Sequence, residues 1–173
     1  ALASLAKPLE FRLFITDDRE EFANEDRFPE ADIIVSEKPE DALPNLPINP
    51  NTFIVVATRG HRYDNTALLA AAKTPARYVG LMGSKRKTIL IYEDLMRSDL
   101  SLDRIREIRS PIGLDIKART PEEIAISIMS EVLMFRLGGS GLPMKLDEKQ
   151  LERIKKKISE EDDITKVTPV EAV

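Results

Sequence analysis

The sequence contains no cysteine, and this absence excludes several kinds of chemistry from the chain. Disulfide bonds, thiolate metal centres and cysteine nucleophiles all depend on a residue type that is missing here. Histidine occurs once, as His61, so a metal centre built from several imidazoles is excluded as well. We therefore predict no metal site in this chain.

Tryptophan is also absent, aromatic residues make up only 5%, and there is no excess of positive charge. The formal net charge is −4, whereas a nucleic-acid-binding protein is usually basic, so we expect no nucleic-acid partner. No apolar run reaches the roughly 18 residues of a membrane-spanning helix. No charged and then apolar leader opens the sequence either. We therefore expect no membrane partner and a cytoplasmic location.

The sequence does contain short apolar runs that alternate with helical patterns. Hydrophobic residues make up 42% of the 173 residues, which is enough for the core of one domain. Apolar runs predict strands over residues 12–16, 31–35, 52–58 and 77–82. Helical spacing predicts helices in the first ten residues and over about 63–73, 85–97, 121–137 and 147–160, with a short helix after Ser101. The alternation predicts an α/β, Rossmann-like, doubly wound and mostly parallel sheet.

The strongest helix start lies at residue 120. Thr120 can cap the helix, a proline follows at its first position, and Glu123 completes a capping box. Gly138 is expected to end this helix, and the apolar run 132–135 within it fits either the core or a homodimer face. We predict a Rossmann-like domain over 1–140, then a helical extension over 141–173 whose last dozen residues form a flexible tail. Residues 110–114 are turn-rich and are candidates for an edge strand.

Ligands of open parallel sheets bind beyond the carboxyl ends of the strands, and three turns of this chain follow predicted strands. The first turn contains Asp17, Asp18 and Arg19. An acidic residue after the second strand of a dinucleotide fold accepts hydrogen bonds from ribose hydroxyls. On that interpretation the first strand and its G-x-G-x-x-G loop would lie before Ala1. The alternative is that the two aspartates only stabilise a turn.

The second turn contains Thr58, Gly60 and His61, with Asp64 three residues after the histidine. Glycine at a strand end lets the backbone approach a ligand closely. Imidazole is the side chain best suited to proton transfer near neutral pH, so His61 is a catalytic candidate, with Asp64 to orient it. The alternative for His61 is a role in capping the next helix.

The third turn contains Gly83 and Ser84, followed by Arg86 and Lys87 at the start of a helix. A helix N-terminus presents free N–H groups that bind phosphate. Basic residues in a first turn oppose the helix dipole, which favours an anion at this place over a merely solvated turn. The spacing of a Walker A loop is absent.

Taken in order, these segments resemble the C-terminal Rossmann domain of the XdhC/CoxI family of xanthine dehydrogenase accessory proteins. The resemblance covers about residues 5–136, and its most specific parts are 109–116 and 120–125. The segments that carry it are 16–23, Thr58 with His61 and Asp64, 78–87, 109–116 and 120–125.

The resemblance implies a protein that matures molybdenum hydroxylases by binding the molybdenum cofactor and delivering it to the apoenzyme. It also implies a cysteine desulfurase as a second partner, and with no cysteine this chain cannot itself carry a persulfide. Molybdopterin carries a phosphate and often a nucleotide, which suits an anion site at residues 84–87.

Two other functions stay open from the sequence. Asp17 and Asp18 are compatible with an NAD(P)-binding oxidoreductase, although no second catalytic domain is visible. A structural domain with a decayed nucleotide site is the third interpretation. We favour a cofactor-binding accessory protein over a stand-alone enzyme.

Overall fold

A computed structural model describes residues 1–167 of the chain, apart from the side chains of His61 and of residues 162–167. The helices are α1 (Leu2–Ala6), α2 (Pro39–Ala42), α3 (His61–Ala72), α4 (Lys85–Met96), α5 (Leu102–Glu107), α6 (Pro121–Leu137) and α7 (Glu148–Val167). The strands are β1 (Phe14–Thr16), β2 (Ile33–Val35), β3 (Phe53–Val56) and β4 (Tyr78–Leu81), and a 3₁₀ turn follows α2 at Leu43–Asn45. The residues form two compact units, Ala1–Gly141 and a second that begins at Leu142.

The four strands form two parallel pairs. β1 pairs with β2, and β3 pairs with β4 in a register that sets Phe53 opposite Tyr78. A single bridge between Gly80 and Arg109 adds one more parallel position beside β4. Within the described residues β1 and β3 belong to separate sheets. In the Rossmann strand order 3-2-1-4-5-6, strands 2 and 4 lie on either side of strand 1. If β1 and β2 correspond to strands 2 and 3 of that order, and β3 and β4 to strands 4 and 5, strand 1 would lie between the two pairs. The division into two pairs therefore fits the predicted fold without its strand 1. The predicted α/β class with parallel strands is confirmed.

Side chains of the β3–β4 pair alternate between two helical layers. Val56 and Leu81 belong to the core cluster that includes residues of α3, α4 and α5. Phe53 and Tyr78 belong to the opposite cluster, with residues of α1 and α6. Burial of each large aliphatic side chain in such layers contributes roughly 1.5–3 kcal/mol. The core interpretation of the run 132–135 is confirmed, since Val132, Leu133 and Phe135 belong to the second cluster.

The predicted helix signals appear as hydrogen bonds. Thr120 accepts from the Glu123 N–H at 3.2 Å, and the Glu123 carboxylate accepts from the Thr120 N–H at 3.0 Å. Gly138 ends α6 in the left-handed conformation at φ +76°. The capping of α5 by Ser101 is confirmed too, because its hydroxyl accepts from the Arg104 N–H.

Two expectations about element bounds in the first unit need correction. α1 ends at Ala6 rather than near residue 10, because Pro8 has no N–H to continue the helical hydrogen bonds and Glu10 has a left-handed backbone at φ 62°. No edge strand forms at 110–114, where Pro111 lacks an N–H donor and Gly113 has φ +99°.

The first part of the predicted tail also needs correction. α7 continues to Val167, so the first half of the predicted tail is helical. Residues 168–173, the rest of that tail, lie outside the described residues. In the part of the chain that the structure covers, no helix is both long enough and apolar enough to cross a membrane.

Candidate cofactor-binding site

The turn after β1 contains an ion pair between Asp17 and Arg19. Arg19 donates to Asp17 Oδ1 from Nε at 2.8 Å and to Oδ2 from Nη2 at 3.0 Å. These hydrogen bonds hold the pKa of Asp17 below its usual value, more than burial raises it. The guanidinium of Arg19 lies 3.8 Å from the centre of the Phe22 ring. Asp17 therefore fixes Arg19, and Asp18 is the carboxylate of this turn that reaches toward the next one.

The turn after β3 leads directly into α3. Gly60 is the N-cap residue of α3 and His61 its first residue, so the backbone of His61 lies at the helix start. Asp64 is completely buried, and the Thr58 hydroxyl donates to its Oδ1 at 2.7 Å. The partners that the structure gives the Asp64 carboxylate are Thr58 and Lys87. Its predicted role in orienting His61 stays a prediction.

The turn after β4 forms the start of α4. Ser84 caps the helix, and its hydroxyl accepts from the Lys87 N–H at 3.3 Å. Within the described residues no acceptor is found for the backbone N–H groups of Lys85 and Arg86. Both side chains are exposed. This turn therefore presents two unpaired N–H groups and two cationic side chains at the positive end of a helix.

Two ion pairs join the three turns into one cluster. Arg59 Nη2 of the second turn lies 3.1 Å from Asp18 Oδ2 of the first, and Lys87 Nζ of the third contacts Asp64 Oδ2 of the second. These contacts link the first turn to the second and the second to the third, and the predicted residues that take part in them are Asp18, Asp64 and Lys87. Among the described residues no acidic side chain pairs with Arg86, so the positive charge left over lies at the start of α4.

The glycines at these turns are not required by the packing of the chain itself. Apart from its chain neighbours, no described residue comes within 4 Å of a Cβ added at Gly60, and one added at Gly83 would make only ordinary contact with Lys87. Gly60 also has an extended backbone, at φ 176°. Among the described side chains outside its chain neighbours, none therefore fills the space above Gly60.

Sequence reasoning gave no role to two aromatic residues of this cluster. Phe22 lies under Arg19, and Tyr63 lies 4.5 Å under the guanidinium of Arg59. The signal was present, because each aromatic residue follows its arginine by three or four positions near a helical turn, where side chains meet. Lys85, within the predicted anion site at residues 84–87, is the first residue of α4.

The segment 109–113 is anchored to the same domain by a buried carboxylate. Glu131 Oε2 accepts from the Tyr78 hydroxyl at 2.6 Å and from the Gly113 N–H at 2.7 Å. Burial, and next the hydrogen bond to Glu131, raise the pKa of Tyr78 far above its usual value. The hydroxyls of Ser110 and Thr88 lie 2.9 Å apart and join the segment to α4. This contact ties the first turn of α4 to the rest of the domain.

A family model described as the XdhC Rossmann domain matches residues 1–132 of the chain. The chain belongs to the XdhC family. All three turns and the start of helix α6 lie within the matched XdhC domain, so the resemblance inferred from the motifs is confirmed.

Several known proteins are similar to this XdhC chain. It is 32% identical over 147 residues to the uncharacterized protein YqeB of Escherichia coli, covering 84% of this chain and 27% of that protein. It is 31% identical over 135 residues to a probable subunit of the xanthine dehydrogenase of Bacillus subtilis, covering 78% and 39%. It is 29% identical over 90 residues to the molybdenum cofactor insertion chaperone PaoD of E. coli, covering 52% and 28%.

A solved structure agrees with these relatives. The crystal structure of a xanthine dehydrogenase from Bacillus halodurans matches with a TM-score of 0.68 and 31% identity, over 79% of this chain and 39% of that one. The chain thus spans between about a quarter and two fifths of the length of these relatives. The match supports the Rossmann-like fold and its topology.

Proposed function

We propose that this XdhC domain serves the maturation of a molybdenum hydroxylase of the xanthine or carbon monoxide dehydrogenase type, and that its three turns bind the molybdenum cofactor. The relatives support the first part, since one is named a probable subunit of xanthine dehydrogenase and another a molybdenum cofactor insertion chaperone. The observation that supports the second part is the linkage of the three turns by two ion pairs, the second of which reaches the first turn of α4.

The residues present suit a phosphate-bearing ligand. The carboxylates of Asp17, Asp18 and Asp64 are each paired with a cation of the cluster. Lys85 and Arg86 remain to attract an anion, next to the Ser84 hydroxyl and the unpaired N–H groups of α4. A helix N-terminus of this kind binds phosphate through its N–H groups and its dipole. The open space above Gly60 leaves room for the rest of the ligand.

Calorimetry of the chain with isolated molybdenum cofactor tests this site. Arg86→Ala is expected to weaken binding about tenfold or more and to reduce its dependence on salt, because a charge-assisted contact to the phosphate is lost. Arg97→Ala is the matched control, since Arg97 follows the other end of α4 and pairs with Asp94. Equal affinities for both variants and the unchanged chain would remove the phosphate from this turn.

His61 provides a second test of the same site. If it transfers a proton or contacts the ligand, His61→Ala loses cofactor binding or delivery while its melting temperature stays within about 2 °C of that of the unchanged chain. A large fall in melting temperature with unchanged binding would assign His61 to the start of α3 alone.

An NAD(P)-binding function is the second candidate, because Asp18 follows β1 at the place where a ribose is bound in dinucleotide folds. Arg19 beside it would suit the 2′-phosphate of NADP. The same calorimetry with NAD and NADP separates the two functions. Tight NAD binding without affinity for the molybdenum cofactor would favour the oxidoreductase.

The partners follow from the proposed role. The domain would hand its ligand to a molybdenum hydroxylase apoenzyme in the cytoplasm, as an accessory protein rather than a stand-alone enzyme. The sulfur of the mature cofactor would come from a cysteine desulfurase, since this chain has no cysteine. A homodimer is a further proposal, and light scattering of the purified chain measures it.

A further inference from the structure

A buried ion pair connects the second turn to the third. Asp64 has 0% exposed surface, and its carboxylate contacts Lys87 Nζ while it accepts from the Thr58 hydroxyl at 2.7 Å. The Lys87 side chain keeps 27% of its surface exposed. Its ammonium therefore lies between a fully buried carboxylate and the solvent-exposed start of α4.

Lys87 differs in this respect from its two basic neighbours. Lys85 and Arg86 are exposed and form no ion pair within the described residues, whereas Lys87 is held by Asp64. The backbone of Lys87 is fixed as well, because its N–H donates to the Ser84 hydroxyl. Of these three consecutive cations, Lys87 is the one that forms an ion pair among the described residues, and Lys85 acts on the Asp115 carboxylate at longer range.

We propose that Asp64 is an internal counter-anion that keeps Lys87 from the ligand's anion and so limits the affinity of the site. This inference rests on the proposed function, since it takes an anion to bind at the start of α4. Asp64 acts through Lys87 and is a positioning residue, with no contact to ligand of its own.

Electrostatics gives the direction of the effect. Opposite charges in contact attract several times more strongly at a partly buried site than in bulk water, so the ammonium stays with Asp64. The negative charge of Asp64 also repels an approaching phosphate. Removal of that charge frees Lys87 and makes the site more positive by one unit. Moderate affinity suits a protein that must pass its ligand on.

A double-mutant cycle with inorganic pyrophosphate as the probe tests the proposal by calorimetry on the full chain. Asp64→Asn keeps the size of the side chain and an acceptor for Thr58, and it is expected to bind about tenfold more tightly, a gain of about 1.4 kcal/mol. Its affinity should also depend more steeply on salt. Lys87→Met leaves an uncompensated carboxylate and should bind more weakly. The double variant replaces an ion pair, whose charges cancel, by two uncharged side chains. Its affinity for pyrophosphate should therefore lie within about threefold of that of the unchanged chain.

Two results of this cycle would overturn the proposal. One is a folded Asp64→Asn variant that binds pyrophosphate no more tightly than the unchanged chain. The other is a double variant that binds much more weakly, which would show that Lys87 serves the ligand directly. If the role of Asp64 were purely structural, Asp64→Asn would lower the melting temperature and the affinity together and would not tighten binding. If Asp64→Asn does not fold, the pyrophosphate affinities of Lys87→Met and of the double variant test the proposal. The proposal requires the double variant to bind more tightly than Lys87→Met.

A measurement without ligand separates this proposal from the proposed function. Acetylation of Lys87, followed by mass spectrometry with Lys85 as the internal reference, should become several-fold faster in Asp64→Asn. An unchanged rate overturns the counter-anion role whatever the ligand. If no variant binds pyrophosphate, the anion site itself fails, and the lysine reactivity alone judges the role of Asp64.

Discussion

Lys85, Arg86 and Lys87 follow one another at the start of α4, and their partners decide which of them a ligand can use. Lys87 contacts the buried carboxylate of Asp64, while its two neighbours are exposed and unpaired in the described residues. The same holds in the other turns, where Arg19 and Arg59 are engaged by Asp17 and Asp18. A count of charges in the sequence therefore overstates the positive charge that reaches a ligand.

Gly60 allows a prediction that separates folding from binding. Gly60→Ala should raise the free energy of unfolding by about 0.5 kcal/mol, because the backbone is extended there and alanine loses less conformational entropy on folding. The added methyl group occupies the open space beside the cluster, so cofactor affinity should fall. Urea denaturation and calorimetry measure the two effects.

Gly113 is the matched control for that change. It has φ +99°, and an added Cβ would overlap Ser127, so Gly113→Ala should destabilise the fold by more than about 1 kcal/mol. Equal destabilisation by the two substitutions would contradict the proposed difference between a ligand-facing glycine and a structural one.

The lowered pKa of Asp17 predicts that the stability of the chain changes with pH. Its pKa is lowered in the folded chain by the hydrogen bonds from Arg19, so its stabilising contribution is complete above the unfolded value of about 3.9. That contribution is lost as the pH falls through the lower folded value. The advantage of the unchanged chain over Asp17→Asn in urea denaturation should therefore be larger at about pH 7 than at about pH 2.5. A difference that stays constant between these pH values would contradict the role of this pair.

At the scale of elements, the starts of helices and the ends of strands position the side chains of the candidate site. Ser84 fixes the first turn of α4, and Thr120 with Glu123 fixes that of α6. Helix α6 then carries Glu131, which holds Tyr78 of β4 and the segment around Gly113 together. The position of the third turn thus depends on contacts made far along the chain.

The capping of α6 gives a test at this scale. Thr120→Ala should lower the free energy of unfolding by about 1 kcal/mol, because the Glu123 N–H loses its acceptor. Thr66→Ala is a control, since Thr66 lies inside α3 and its hydroxyl only returns to the Arg62 carbonyl. A loss of the same size in both variants would argue against the cap.

At the scale of the whole molecule, the domain is divided between two strand pairs. β4 is buried along its length and is paired with β3 and, through Gly80, with Arg109. β1 is half-buried and pairs only with β2 in the described part of the chain. The β3–β4 pair with its two helical layers is therefore the stable centre.

Hydrogen exchange followed by mass spectrometry tests this division. Peptides that cover β4 should exchange more slowly than peptides that cover β1, because opening β4 breaks pairing on two sides and exposes a buried strand. Similar exchange in both peptides would contradict a stable centre at β3–β4.

Much of this fold was predictable because local patterns specify it. The non-alternating run at 52–58, the glycine after β4 and the capping signals at Thr120 each depend on neighbours in the sequence. The position of the three turns followed from the strand ends. The predicted end of α1 was wrong because Pro8 lacks the N–H that would continue the helix, whatever the apolar spacing around it.

The pairing within the cluster was not predictable in the same way. The contact between Arg59 and Asp18 spans 41 positions, and Asp64 contacts Lys87 from another turn. Such pairs form only after the crossovers set the strands side by side, and no local pattern encodes them. Lys87 was predicted to contact the ligand, and the structure gives it Asp64 as a partner.

Reconstitution of a molybdenum hydroxylase tests the central claim most directly. Apoenzyme and isolated molybdenum cofactor are mixed with the unchanged chain, with Arg86→Ala or with Arg97→Ala, and the yield of active enzyme is measured. We predict that the unchanged chain and Arg97→Ala raise the yield, and that Arg86→Ala does so far less. Equal yields with and without the unchanged chain would contradict a role in cofactor delivery.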